Sequence, residues 1–139
     1  MEKYFDLFGE LYNKYMNEYY KLDIFKKCFI NLTNNDIYYL DIIYSSTGIT
    51  LSELAQKTNV SKSAITQNVN KYIKLGYVVK EQNKSDKRNY NLILSNRAKK
   101  YFDETVKQER KIYEKYLSIL TEEEKNSLME ILSKINEIE

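Results

Sequence analysis

The chain of 139 residues carries a formal net charge of +2 and contains no histidine, no proline and a single cysteine. This length suits one domain. The missing histidine excludes a histidine-based catalytic dyad or zinc site, and the lone cysteine excludes an intramolecular disulfide. The sequence has neither a run of about eighteen apolar residues nor an apolar segment behind a basic start, so we expect no membrane span, no secretory signal and a cytoplasmic location.

The first predicted element is a long helix over residues 3–29. Apolar and aromatic side chains recur there at three- and four-residue steps from Phe5 to Phe25, which is the spacing of one face of a helix. A bend is expected near Leu22. Cys28 stands among apolar neighbours near the end of this segment. Because a free cysteine of this kind usually packs as a small buried hydrophobe, we expect no redox role for it.

Two capping boxes mark the starts of the next two helices. Thr33 stands three residues before Asp36, and Thr50 stands three residues before Glu53, so that in each pair the hydroxyl and the acid satisfy backbone N–H groups of the first turn. Asn59 follows the second of these helices and is expected in a left-handed conformation, which asparagine tolerates better than most residues. The sequence therefore predicts two helices followed by a tight turn.

The next helix has a polar face of unusual composition. Ser61 is expected to cap its start and Gly76 its end. Its apolar stripe consists of Ile65, Val69, Tyr72 and Ile73. The opposite face holds no acid and consists of Lys62, Ser63, Thr66, Gln67, Asn70, Lys71 and Lys74, although surface helices commonly pair Glu with Lys. A short helix, a tight turn and such a second helix form a helix-turn-helix, whose second helix reads bases in the major groove.

A hairpin and two more helices complete the chain. The β-rich runs YVVKEQ and YNLILS flank the polar segment NKSDKRN, which predicts a hairpin with a projecting tip. Ser95 is expected to cap a helix reaching about Leu117, and Thr121 a last helix with an apolar stripe from Leu128 to Ile138. The predicted fold class is therefore mainly α with a small β-hairpin.

Positive charge is concentrated around the polar helix and the hairpin. Residues 57–90 contain eight basic and two acidic residues, a net charge of +6, which leaves −4 for the rest of the chain. Lysine and arginine in such a block can neutralise phosphates and release counterions, which is the sequence-independent part of nucleic-acid affinity. We therefore expect double-stranded DNA as the partner.

Residues 51–95 resemble the winged helix-turn-helix core of MarR-type bacterial transcription regulators. The most specific part is SDKRNYNLILS, which is similar to the family's wing pattern of Asp, any residue, Arg and alternating apolar residues. The resemblance implies that Arg88 enters the minor groove and that Asp86 braces its guanidinium. One departure is Ala98, where members usually carry glycine; alanine is a good helix former, so little consequence is expected.

The resemblance covers nearly the whole chain and implies a single MarR-like domain over residues 1–139, with dimerisation helices at 1–32 and 96–139 around a winged core at 33–95. A homodimer would present two recognition helices to a pseudo-palindromic site, as expected of a repressor. The predicted DNA contacts are Ser61, Lys62, Ser63, Thr66, Gln67, Asn70 and Lys71 on the recognition helix, and Lys84, Asp86, Lys87 and Arg88 on the wing.

Tyrosines offer a second candidate site. Tyr12, Tyr15, Tyr19 and Tyr39 are candidates for an effector pocket, because many members of the family bind small aromatic effectors and tyrosine combines a flat apolar body with one polar group. Core packing in a tyrosine-rich chain is the simpler interpretation of the same residues. No metal or cofactor is expected.

Two other functions remain to be distinguished from DNA-binding regulation. A winged helix can serve as a protein-interaction module without sequence-specific DNA binding, although a wing tip with three basic residues and one acid disfavours this interpretation. An enzyme acting on nucleic acid would need paired carboxylates or metal ligands near the basic segment, and the sequence has none there. We therefore predict that the protein is not an enzyme.

Overall fold

The computed structural model describes residues 1–22, 29 and 31–138. The described residues form α1 (Glu2–Lys21), α2 (Asn34–Ser45), α3 (Leu51–Thr58), α4 (Lys62–Lys74), β1 (Val78–Gln82), β2 (Tyr90–Leu94), α5 (Asn96–Leu117) and α6 (Glu122–Asn136). The predicted fold class, mainly α with a small hairpin, is confirmed. The prediction that the first helix continues beyond α1 falls mainly on residues 23–28, which lie outside the described ones, as does the predicted burial of Cys28; Phe29, which is described, is not helical.

The chain forms two compact units, one from Met1–Leu22 with Val106–Glu139 and the other from Asp23–Thr105. The second unit contains the helix-turn-helix and the hairpin around one core. Helix α4 contributes the predicted stripe to this core, and Ile65, Val69 and Tyr72 are each at most 1% exposed. The other fully buried large side chains are Leu40, Ile43, Leu54, Val78, Leu92 and Phe102.

The hairpin is attached to the helix-turn-helix through the backbone. Strands β1 and β2 pair antiparallel, from Val78 opposite Leu94 to Gln82 opposite Tyr90. Ile49, just before α3, exchanges two backbone hydrogen bonds with Leu92, one of 2.7 Å and one of 3.4 Å. Both side chains are buried, so the base of the hairpin is held by hydrogen bonds and by apolar contact together.

A buried carboxylate joins α2 to α4. Asp36 closes the capping box of α2 with Thr33 as predicted, but its side chain is only 5% exposed and makes two further contacts. Its Oδ2 lies 2.7 Å from the Lys71 ammonium, and its Oδ1 accepts a hydrogen bond of 2.7 Å from the Tyr72 hydroxyl. The two consecutive residues of α4 are thus both bound to one carboxylate of α2.

These contacts keep Asp36 ionised. Burial acts to raise the pKa of its carboxyl group, but the surrounding donors, with the Lys71 ammonium the strongest of them, outweigh burial and lower that pKa to about 2. Burial, and then the adjacent carboxylate, raise the pKa of Tyr72 far above its usual value, so its hydroxyl remains a donor. The network therefore consists of one anion, one cation and one neutral phenol.

The first unit leaves much of its apolar surface exposed. Within α1, all of which the structure describes, no residue is buried, and the same holds for α6. Polar contacts between α1 and α5 join the Tyr15 hydroxyl to the Glu109 carboxylate and, over 2.7 Å, the Lys115 ammonium to Glu18. Exposed large apolar residues of α1 and of the C-terminal segment over residues 122–138 are Tyr4, Phe5, Leu7, Phe8, Leu11, Tyr12, Tyr20, Met129, Ile131, Leu132, Ile135 and Ile138.

We predict that Asp36→Asn lowers the free energy of unfolding by about 2–3 kcal/mol at pH 7, because a pKa of about 2 in the folded state compares with about 3.9 in the unfolded chain. A lowered pKa contributes stability that is complete above about pH 4 and is lost as the pH falls towards 2. Urea unfolding from pH 2 to 7 should therefore show the wild type and the variant converging at low pH.

The matched control is Glu53→Gln, which alters the exposed capping box of α3. Its difference from the wild type should be smaller than that of Asp36→Asn at pH 7. A gap between the wild type and Asp36→Asn that stayed constant down to pH 2 would contradict the proposed ionisation.

Candidate nucleic-acid interface

The turn between α3 and α4 has the geometry that the sequence predicts. Asn59 is left-handed, with φ 52° and ψ 38°, and its N–H bonds back to the Gln56 carbonyl over 3.3 Å. Ser61 caps α4, since its hydroxyl oxygen accepts the Ala64 N–H at 3.3 Å. The turn over residues 59–61 therefore ends α3 and starts α4, and the Ser61 side chain satisfies one backbone N–H group of the first turn, that of Ala64.

The outer face of α4 carries the predicted polar residues. Lys62, Ser63, Gln67 and Asn70 are exposed. Thr66 is half-buried and donates its hydroxyl to the Lys62 carbonyl over 2.6 Å, so its oxygen can still accept a hydrogen bond and its methyl group can make apolar contacts. The first turn has no acid, and the positive end of the helix dipole is thus left available to an anion.

Lys71 departs from the expectation for this face. Helical spacing groups it with the exposed residues, but the structure pairs its ammonium with Asp36, and its side chain is 40% exposed. Its predicted contact with DNA stays a prediction, while the structure shows a contact inside the protein that the sequence analysis missed. One sequence feature pointed to a polar partner at this position. Tyr72, next to Lys71, lies on the apolar stripe of the helix, and a buried tyrosine hydroxyl needs a hydrogen-bond partner.

The C-terminal end of α4 is held by α5. Gly76 is left-handed with φ 74°, and the following Tyr77 N–H bonds back to Tyr72 over 2.9 Å, which confirms the predicted end of the helix. Arg97 donates to the Leu75 carbonyl over 2.7 Å, and its guanidinium lies 5.0 Å from the Tyr77 ring centre. A cation therefore stabilises the negative end of the recognition helix, a role that the sequence analysis did not assign.

The wing tip is ordered by its own side chains. The Asn83 side-chain oxygen accepts hydrogen bonds from the Ser85 N–H at 2.9 Å and from the Ser85 hydroxyl at 2.7 Å. The predicted basic residues Lys84, Lys87 and Arg88 are all exposed around this turn. The tip therefore presents three positive charges on a backbone that local hydrogen bonds hold in place.

Asp86 holds the backbone of the tip rather than the arginine side chain. Its Oδ1 accepts the Arg88 N–H at 3.0 Å, and its Oδ2 accepts the Asn89 side-chain amide at 3.0 Å. Among the ion pairs of the described residues, none joins the Asp86 carboxylate to the Arg88 guanidinium. In this structure the Asp86 carboxylate therefore binds the backbone of Arg88, which orders the turn, and does not contact its guanidinium as expected.

The four candidate pocket tyrosines divide between the two units. Tyr15 stacks on Tyr19 and on Tyr113, with ring centres 5.9 and 5.4 Å apart, whereas Tyr12 is exposed. Tyr39 belongs to the second unit and packs against its core. An effector pocket built from these residues stays a prediction.

The described residues contain neither a metal-binding cluster nor a helix suited to a membrane. Within residues 1–22, 29 and 31–138, no group of histidine, cysteine, aspartate or glutamate side chains is arranged to hold a metal ion. None of the helices described there combines the length and the apolar character needed to cross a membrane.

A helix-turn-helix whose second helix has an exposed acid-free face, followed by a basic hairpin, defines a winged helix-turn-helix protein. Residues 30–89, which include this motif up to the wing tip, match the MarR family. No curated protein sequence matches the chain.

Several solved structures have the same fold. A MarR protein from Peptoclostridium difficile DA00132 is 29% identical, with 94% of this chain and 85% of that chain covered and a TM-score of 0.59. Streptococcus pneumoniae FabT, solved in complex with DNA, is 15% identical with 97% and 94% covered and a TM-score of 0.72. S. aureus MepR bound to ethidium bromide is 16% identical with 95% and 93% covered and a TM-score of 0.74.

The chain therefore matches the MarR family over residues 30–89 and has the fold of the MarR-type structures. Members of this family are transcriptional regulators, not enzymes. The resemblance that the wing pattern indicated is confirmed.

We predict that Asp86→Ala loosens the wing tip and that Asp86→Asn does not, because asparagine retains an oxygen that accepts the Arg88 N–H. Both variants remove the same charge and thus act as controls for each other. Backbone ¹⁵N relaxation should show lower heteronuclear NOE values at Lys87 and Arg88 in the alanine variant only. Equal values in the two variants would show that this hydrogen bond does not order the tip.

Proposed function

We propose that the protein is a DNA-binding transcriptional regulator that acts as a homodimeric repressor at a pseudo-palindromic operator. The observation that carries this proposal is the exposed, acid-free face of α4 beside a wing tip with three cations. That S. pneumoniae FabT, which shares the fold, was solved in complex with DNA supports it.

The two surfaces suit two kinds of contact. Gln67 and Asn70 are exposed amides near the middle of the face of α4, and amide side chains can make paired hydrogen bonds to adenine in the major groove. The cations of the wing suit phosphates and the minor groove, where Arg88 would sense width and potential. Together they provide base recognition on the helix and anchoring on the wing.

The exposed apolar surface of the first unit supports a homodimer. Phe5 and Phe8 are 78% and 63% exposed on α1, and Leu132 and Ile135 are 48% and 44% exposed on α6. The two residues of each pair stand three positions apart and so share one helix face, and large exposed apolar patches are rare on soluble monomers. A second copy with the same surface would cover it under two-fold symmetry and would bring a second recognition helix to the next major groove.

A small aromatic effector is part of the proposal. S. aureus MepR binds ethidium, a flat aromatic cation. In this chain the stacked rings of Tyr15 and Tyr19 beside the Glu109 carboxylate offer flat apolar surface and a negative charge. Binding of a ligand there would release the protein from DNA if the bound form held the two recognition helices at another spacing.

A protein-interaction module is the alternative, and salt dependence distinguishes the two. Duplex binding through phosphates weakens steeply as salt rises, because each contact releases condensed counterions. Selection of bound sites from a random duplex pool tests the proposal directly, and a pool that yields no enriched sequence would favour the alternative.

We predict that Gln67→Ala and Asn70→Ala each weaken binding to the selected duplex by about 1–3 kcal/mol, with most of the loss absent on random DNA. An amide that reads bases contributes to discrimination more than to phosphate attraction. Asn126→Ala, at an exposed asparagine of α6, is the matched control and should change neither affinity. Equal losses on selected and random duplexes would argue against base reading by α4.

We also predict that the protein is a dimer of about twice 16.7 kDa in light scattering at micromolar concentration. Phe8→Glu combined with Leu132→Glu should give a monomer, because each places a charge in the apolar surface that the partner covers. Wild-type protein that scattered as a monomer and still bound a palindromic duplex would exclude the dimeric mode of binding.

A further inference from the structure

Lys71 lies on the DNA-facing side of α4 by sequence, yet its ammonium is bound within the protein. We propose that Asp36 determines DNA specificity, because it withholds the Lys71 charge from phosphate and holds the recognition helix in its base-reading position. This inference rests on the proposed DNA binding and adds a residue outside the expected interface to it.

The carboxylate is fully occupied by donors. Its Oδ2 accepts the Thr33 N–H at 2.7 Å, the Thr33 hydroxyl at 2.9 Å and the Lys71 ammonium at 2.7 Å. Its Oδ1 accepts the Tyr72 hydroxyl at 2.7 Å. The four donors come from two helices that are far apart in sequence, so the carboxylate has a single position and attracts Lys71 to that position.

Releasing Lys71 to a phosphate carries a cost inside the protein. The Asp36 side chain is 5% exposed, and a buried carboxylate that loses its cation keeps an uncompensated charge in a region of low dielectric constant. A phosphate at the surface offers the ammonium a partner that water already screens. The geometry therefore favours the internal pair over the external one.

Other lysines of the basic block differ from Lys71 in this respect. Lys62, Lys84 and Lys87 are exposed, and none of them forms an ion pair with any residue that the structure describes. They remain available to phosphates. The Asp36–Lys71 pair, by contrast, adds no net charge to the interface and should contribute no released counterion.

The Asp36–Lys71 pair affects both parts of DNA affinity: it reduces sequence-independent attraction to phosphates and supports base recognition by α4. A freed Lys71 would add sequence-independent attraction, which dominates binding to unrelated DNA. Replacing the carboxylate with an amide would also weaken the hydrogen bond of Tyr72, the fully buried residue that anchors α4 to α2, because a neutral oxygen is a weaker acceptor than a charged one, and would so loosen the register of the base-reading face. Both changes lower the ratio of operator affinity to random-duplex affinity.

The experiment compares wild type, Asp36→Asn and the charge-balanced double variant Asp36→Asn/Lys71→Gln on random and selected duplexes between 50 and 200 mM salt. Asp36→Asn should raise the magnitude of the salt slope by about one unit per protomer, and so by about two for the proposed dimer, which means an additional loss of affinity of roughly 12-fold over this range. The double variant should return to the wild-type slope. Operator affinity should fall in both variants. Arg88→Ala, which should lower the slope by about one unit per protomer, shows that the assay resolves one contact per protomer.

A double variant whose slope is about one unit per protomer below that of the wild type would overturn the inference, because Lys71 would then contact phosphate in the wild type. An unchanged slope in Asp36→Asn would overturn it as well. A purely structural role of Asp36 would reduce the fraction of folded protein without changing the slope. Failure of the wild type to bind any duplex would instead refute the proposed function itself.

If Asp36→Asn does not fold, an NMR titration of the wild-type protein tests the inference instead. The Lys71 side-chain ¹⁵Nζ resonance should keep its chemical shift when random duplex is added, while the resonances of Lys84 and Lys87 move. A shift of the Lys71 signal as large as that of Lys84 would overturn the inference.

Discussion

The placement of the recognition helix depends on one buried carboxylate. Asp36 begins as an ordinary member of a capping box, but burial and the donors around it make it the joint between α2 and α4. A buried anion without its partners would cost several kcal/mol, so the two helices cannot separate or slide without losing a large part of the stability of the fold. The same contacts that stabilise the fold therefore also set the position of the base-reading face.

The proposed interface is organised before any DNA is present. Helix α4 is held on one side by Asp36 and at its C-terminal end by Arg97, and the wing tip is ordered by Asn83 and Asp86. Side chains that read base edges need a defined register, because a misplaced amide loses both of its hydrogen bonds. These hydrogen bonds to α4 and within the wing tip thus set the backbone positions from which the exposed side chains would reach DNA.

The two units present different kinds of surface. The second unit buries its apolar residues in one core and presents a polar, acid-free face. The first unit does the reverse, since α1 and α6 bury none of their residues and expose phenylalanine, leucine and isoleucine. An apolar surface suits a lasting partner and a polar, basic one suits a partner that is exchanged, as the proposed repressor requires.

The sequence by itself determined the order of the elements and the caps of several helices. The capping boxes at Thr33, Thr50 and Thr121 and the left-handed Asn59 all formed as predicted, because each depends on atoms within a few residues along the chain. Only the tertiary structure decided the role of Lys71. Helical periodicity assigned it to the outer face, but its partner Asp36 stands 35 residues away, and no local pattern specifies which distant carboxylate will be buried beside a given lysine.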